Sequence, residues 1–96
     1  MNIKLAADEN GKLLALWGNN YVDHGPYSEF GDLLTMRLSQ FTGAGYGINS
    51  IRNKSTTVFT NHAWGSAFRA YGSPQSYMGS EIAIDVRLQR WDRPLD

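Results

Sequence analysis

Asn10-Gly11 separates two runs of strand-forming residues, and few dipeptides specify an antiparallel turn as strongly. The first run covers 3–7 (Ile-Lys-Leu-Ala-Ala) and the second extends from Leu13 to Val22. The chain is therefore expected to open with a β-hairpin that turns over Asp8-Glu9-Asn10-Gly11. Trp17-Gly18-Asn19-Asn20 reads as an interruption of the second strand. Everything after the hairpin has to pack against it, because 96 residues make one small domain and not two.

Gly25-Pro26 breaks the pattern, and Ser28 is placed to cap a helix starting just after it. Phe30, Leu33, Leu34, Arg37, Leu38 and Phe41 recur at intervals of three and four, the stripe of an amphipathic helix, with Gly43 at its C-terminal stop. Residues 43–47 then form a loop, and the β-branched run 55–60 predicts a third strand. Residues 61–72 are irregular. Ser73-Pro74 signals a helix start, but the continuation is ambiguous. Ile82, Ile84, Val86 and Leu88 alternate as in a strand, whereas Tyr77, Met78, Glu81, Ile82 and Asp85 fit a helix reaching about Gln89. The expected class is α+β: a β-hairpin, a helix, a strand and a helix, with the helices packed on one face of a small mixed sheet.

Nine Lys and Arg balance nine Asp and Glu, so the basic excess of a nucleic-acid or anionic-membrane binder is missing. The chain contains no cysteine, which excludes disulfides, thiolate metal sites and a thiol nucleophile within it. No apolar run is long enough to span a bilayer. Residues Met1 to Leu5 lack the basic head and apolar stretch of a signal peptide, and a cytoplasmic location is expected. His24 and His62 are too few for a metal site and are expected to be structural. The glycines at 43–47 lack the Lys-Ser/Thr of a phosphate loop. Ser66 and Ser80 lack a nucleophile elbow. Asp23, Glu29, Asp32, Glu81 and Asp85 are expected to be solvated.

The segment Gly65-Ser66-Ala67-Phe68-Arg69-Ala70-Tyr71-Gly72-Ser73-Pro74-Gln75 places an arginine between two aromatics among small residues. Small residues let backbone approach a bulky ligand. Arginine offers a planar fork of donors to an anionic or oxygen-rich group, and the aromatics can wall a flat substrate. A tight connection carrying a surface arginine explains the same residues equally well.

Extended back to Asn61-His62-Ala63-Trp64, this segment resembles the Ala-Phe-Arg-Gly-Phe/Tyr-Gly-x-Pro-Gln signature of the xanthine dehydrogenase/aldehyde oxidase family, the molybdopterin-dependent hydroxylases. The likeness extends through Asp23-His24-Gly25-Pro26-Tyr27-Ser28-Glu29-Phe30-Gly31-Asp32-Leu33-Leu34 and Gly43-Ala44-Gly45-Tyr46, from about residue 2 to 88. It is closest to the aldehyde oxidoreductases of sulfate-reducing bacteria. The resemblance implies that 1–96 is a single internal segment of a molybdenum-binding region, that Met1 is an internal methionine, and that 73–90 is helical. Val86 to Asp96 departs from the family's helix followed by Gly-x-Asp-Pro, of which the resemblance implies Arg93-Pro94-Leu95-Asp96 to be the remnant.

The resemblance further implies that Arg69 lies beside the molybdopterin cofactor, in plain or cytosine dinucleotide form, and that the backbone of Phe68 and Ala70 runs past the same group. Tyr71, Phe30, Leu33 and Arg37 would line the substrate pocket for a small aldehyde, hydroxylated with water. The family's base glutamate lies outside this chain, so no catalytic residue and no metal ligand is expected here, and the segment alone is expected to hold no cofactor. Its partners would be the rest of the molybdenum-binding region and the iron–sulfur domains that carry electrons away. The competing expectation is a free-standing, non-enzymatic binding module from a split or truncated gene.

Overall fold

The computed structural model describes residues 1–91. Arg93-Pro94-Leu95-Asp96 lies outside them. The elements run β1 (Asn2–Ala7), β2 (Leu13–Asp23), α1 (Gly31–Phe41), β3 (Ser50–Val58) and α2 (Ser73–Trp91). The sheet order is β1-β2-β3, with β1 antiparallel and β3 parallel to β2. The hairpin is as expected. In its turn the Asp8 carboxylate accepts hydrogen bonds from the backbone N–H groups of Asn10 at 2.9 Å and Lys12 at 2.8 Å. The segment 73–90 is helical, so the alternation at Ile82 to Leu88 is not a strand.

The two helices share one face of the sheet, as a comparison of cross-strand partners shows. Ile3 pairs with Gly18, Gly18 with Asn53, and Asn20 with Ser55, so all of these point the same way. On that side Ser39 of α1 donates to Ser55 at 2.6 Å, and Thr35 bonds Thr57 at 2.8 Å. A Cβ at Gly79 of α2 would meet Ile3 at 2.8 Å. The opposite face carries Lys4, with Nζ 5.2 Å from the centre of the Trp17 ring, and the exposed Tyr21.

Three expectations change in detail. β2 is not interrupted at Trp17-Gly18-Asn19-Asn20; it runs through all of them. The absent side chain of Gly18 makes room for Asn53, which donates to the Ser39 carbonyl at 3.2 Å and accepts from Asn20 at 3.0 Å. β3 begins at Ser50 rather than 55 and ends at Val58 rather than 60. Its first half is polar because its inward residues hydrogen-bond to α1 and β2 instead of packing hydrocarbon, which hides it from a search for apolar alternation. Ser28 does not cap α1. The N-cap position is Phe30, with no side-chain capping bond, and Ser28 turns inward.

The fully buried hydrocarbon is small in amount. Leu16 and Leu38 are the buried apolar side chains, beside buried Asn20, Thr35, Thr42, Ser76 and Ser80. The hydroxyls on α2 are matched: Ser76 Oγ donates to the carbonyls of Leu38 and Gly72 (2.6 and 2.7 Å), and Ser80 Oγ accepts from Gly43 N–H at 3.0 Å. Small residues on α2 thus bring it close to α1. At their junction a Cβ on Gly72, whose φ is +85°, would stand 2.7 Å from the backbone nitrogen of Leu38.

Candidate functional site

The irregular segment between β3 and α2 lies against the connection between β2 and α1. β2 delivers Asp23 to the start of that connection, and the Asp23 carboxylate collects three donors. One oxygen accepts from Gly25 N–H at 2.9 Å and Thr60 Oγ1 at 2.5 Å, and the other meets His62 Nδ1 at 2.5 Å. The backbone takes the same line, with Thr60 N–H donating to the Gly25 carbonyl at 3.0 Å. A Cβ on Gly25 would stand 2.8 Å from the carbonyl oxygen of His62, so the two segments touch through backbone.

These hydrogen bonds, that of Thr60 first, then those of Gly25 and His62, hold the Asp23 carboxyl down at about 2 against an ordinary 3.8. A carboxyl lowered on folding stabilises the fold above its unfolded value and loses that contribution as pH falls through the folded one. The tether is therefore complete above pH 3.8 and released toward pH 2. A carbon-13 titration of the Asp23 carboxyl should show its midpoint near 2, not near 3.8.

Further along, Ser66 Oγ donates to Glu29 at 2.7 Å. Beyond this link the loop folds over itself, with Tyr71 N–H on the Phe68 carbonyl at 3.0 Å and Ser73 N–H on the Ala70 carbonyl at 2.9 Å. Ala70 takes φ +61°, the one non-glycine positive φ among the described residues. This costs about 1 kcal/mol or more; Phe68, two residues earlier, is 87% exposed. The result is an open hollow of about 470 Å³ lined by Glu29, Phe30, Phe68, Arg69, Ala70 and Tyr71, with Ser66 and Ala67.

Five of the seven sequence-derived residues thus meet in one place: Phe30, Phe68, Arg69, Ala70 and Tyr71. Leu33 and Arg37 do not line this hollow; both are exposed on α1, and Arg37 donates to Gln40 at 3.3 Å. The Arg69 guanidinium has no protein partner among the described residues. Such a group, with exposed backbone on both sides and aromatic rings around it, suits an anionic, oxygen-rich ligand. At the start of α1, His24 is 3% exposed, and its Nε2 and the Ser28 hydroxyl are buried without a hydrogen-bond partner among the described residues. Both press on Gly31, where a Cβ would stand 2.7 Å from each side chain. That fixes the start of α1 and with it Phe30.

The carboxylates at Asp23 and Glu29 are exposed and His62 is structural, as expected; sequence reasoning misses that Asp23 and Glu29 each receive a donor from the loop. Asp-x-Gly before Pro26 is the available signal, since an aspartate commonly accepts from the N–H two residues on.

Comparison with known proteins matches nearly the whole chain. Residues 1–88 match the family described as "Molybdopterin cofactor-binding domain". The chain is 58% identical over 90 residues to an aldehyde oxidoreductase of Megalodesulfovibrio gigas, covering 94% of this chain and 10% of the relative. It is 29% identical over 76 residues to the large molybdopterin subunit of a nicotinate dehydrogenase from Eubacterium barkeri, covering 79% of this chain and 18% of that one. The crystal structure of the aldehyde oxidoreductase from Desulfovibrio desulfuricans superposes with a TM-score of 0.87 at 51% identity, over 96% of this chain and 10% of that one. The chain therefore spans about a tenth of the length of the aldehyde oxidoreductases it matches.

Proposed function

Because the chain belongs to the molybdopterin cofactor-binding domain family, we propose that it forms one wall of the cofactor and substrate pocket of a molybdenum-dependent aldehyde oxidoreductase. One observation carries this reading: a single loop brings Phe68, Arg69, Ala70 and Tyr71 across a hollow from Phe30, with the guanidinium left unpartnered among the described residues. Those residues fit an anionic cofactor. When bound, the molybdenum cofactor supplies the two-electron oxidation that turns an aldehyde into a carboxylic acid with oxygen from water.

This chain's part is to bind, orient and exclude. Arg69 holds the cofactor's anionic oxygens, and the backbones of Phe68 and Ala70 run beside the same group. Phe30 and Tyr71 wall the approach of a small aldehyde. Leu33 and Arg37, further along α1, extend that wall where other parts of the enzyme close it. The base that activates water belongs to another part of the polypeptide, as do the iron–sulfur domains that accept the electrons. We read 1–96 as one segment of the cofactor-binding region, the cofactor as the cytosine dinucleotide form, and the enzyme as cytoplasmic. Among the described residues no helix is long and apolar enough to cross a membrane.

The test is the metal and pterin content of the whole polypeptide that carries residues 1–96. Stoichiometric molybdenum, with an oxidisable pterin that releases CMP on acid hydrolysis, supports the assignment. A metal-free polypeptide of 96 residues, folded and monomeric, would leave it without a basis.

A further inference from the structure

The exposed loop that carries Phe68 to Tyr71 has few attachments. Its backbone hydrogen bonds are local, from Tyr71 N–H to the Phe68 carbonyl and from Ser73 N–H to the Ala70 carbonyl. Hydrogen bonds from residues 61–71 to parts of the chain distant in sequence, among the described residues, are two: His62 Nδ1 to Asp23 and Ser66 Oγ to Glu29. Both acceptors are carboxylates, Asp23 at the end of β2 and Glu29 on the connection to α1, directly before Phe30. Neither touches the loop through packed hydrocarbon, because His62 is 78% exposed at its side chain and Ser66 is exposed too.

We propose that Asp23 and Glu29 are positioning residues, two carboxylate tethers that set the separation between the Phe68–Tyr71 loop and Phe30. This rests on the pocket assignment. Asp23 holds the start of the loop through Thr60 and His62, and Glu29 holds its middle through Ser66. The width of the hollow is then fixed by the connection between β2 and α1 and not by the loop's own sequence. A loop held by these two bonds, with its start also packed against the Gly25 backbone, samples few alternative placements. Released from one, it exchanges among many, and the pocket meets its substrate in the competent arrangement only part of the time.

The experiment uses the whole polypeptide carrying this segment, with Asp23→Ala, His62→Ala, the double variant, and His62→Asn, which keeps an N–H donor near the position of Nδ1. Amide exchange read by mass spectrometry should accelerate about tenfold in peptides covering 61–71 of the Asp23→Ala protein, while α1 and β3 stay unchanged. KM for an aldehyde should rise about tenfold with kcat altered less than about threefold. The His62→Ala effect should vanish in the Asp23→Ala background, since the two act through one bond. His62→Asn should recover most of the loss.

Unchanged exchange at 61–71, acceleration spread over the whole segment, or additive effects of the two substitutions would each overturn the proposal. A polypeptide without molybdopterin would remove the pocket assignment instead, and the exchange pattern would then decide the tether alone.

Discussion

Gly72→Ala is expected to destabilise the fold by roughly 3 kcal/mol or more, combining a left-handed backbone that alanine resists with a clash it cannot avoid. The new Cβ would stand 2.7 Å from Leu38 N and 3.0 Å from the Leu34 carbonyl oxygen, both backbone atoms of α1. Neither can move without displacing the helix that carries Leu38, one of two buried apolar side chains among the described residues. Ala70 shows why position matters. It also holds a positive φ, at +61°, but it is exposed, so it bears only the conformational cost. Since net stability is marginal, urea unfolding of the polypeptide that carries this segment, read by circular dichroism, should show the Gly72→Ala protein losing this unit at a clearly lower midpoint than the parent. A midpoint within about 0.5 M of the parent would contradict the close helix crossing.

Arg69→Ala should lower kcat/KM of the whole polypeptide toward an aldehyde by about 100-fold, the usual scale for removing one fixed donor from a charged reaction centre. Arg69→Lys should recover only part, because an ammonium keeps the charge but not the planar fork. Molybdenum content of each variant separates the two ways of losing activity. A drop in occupancy matching the drop in rate places the guanidinium in cofactor retention. Full occupancy with a slow rate places it in the chemistry. Wild-type rates in Arg69→Ala would remove the residue from the pocket.

Much of this architecture is legible in the residues because local and global signals agree. Asn10-Gly11 specifies the hairpin, the stripe from Phe30 to Phe41 specifies α1, and Ser73-Pro74 marks the start of α2. β3 is harder to see, since Arg52, Asn53 and Lys54 lack the alternation a strand normally shows. They form a strand because Asn53 and Ser55 find polar partners inside, which only the assembled fold supplies. The ambiguity at Ile82 to Leu88 has a similar source. Ile82 and Val86 line a groove of about 810 Å³ against Ile3 and Leu5, while Ile84 and Leu88 line another beside Leu13. A helix with apolar residues on two sides gives a mixed period. The candidate site is partly readable: the Phe68–Tyr71 loop is named by its own composition, whereas Asp23, Glu29 and His62 acquire meaning only through partners 37 to 39 residues away.

The seam of Asn20, Ser39, Asn53, Ser55, Thr35 and Thr57 between α1 and the sheet has a calorimetric consequence. Exposing apolar surface on unfolding raises heat capacity by about 0.45 cal/K/mol per Å², while exposing polar surface lowers it by about 0.26. A junction built from hydroxyls and amides therefore adds little to the heat-capacity increment. Its contribution to stability varies gently with temperature, without the steep loss on cooling that accompanies a junction of packed hydrocarbon. Across a wide range of temperatures α1 stays seated on the sheet, and Phe30 at its start stays with it.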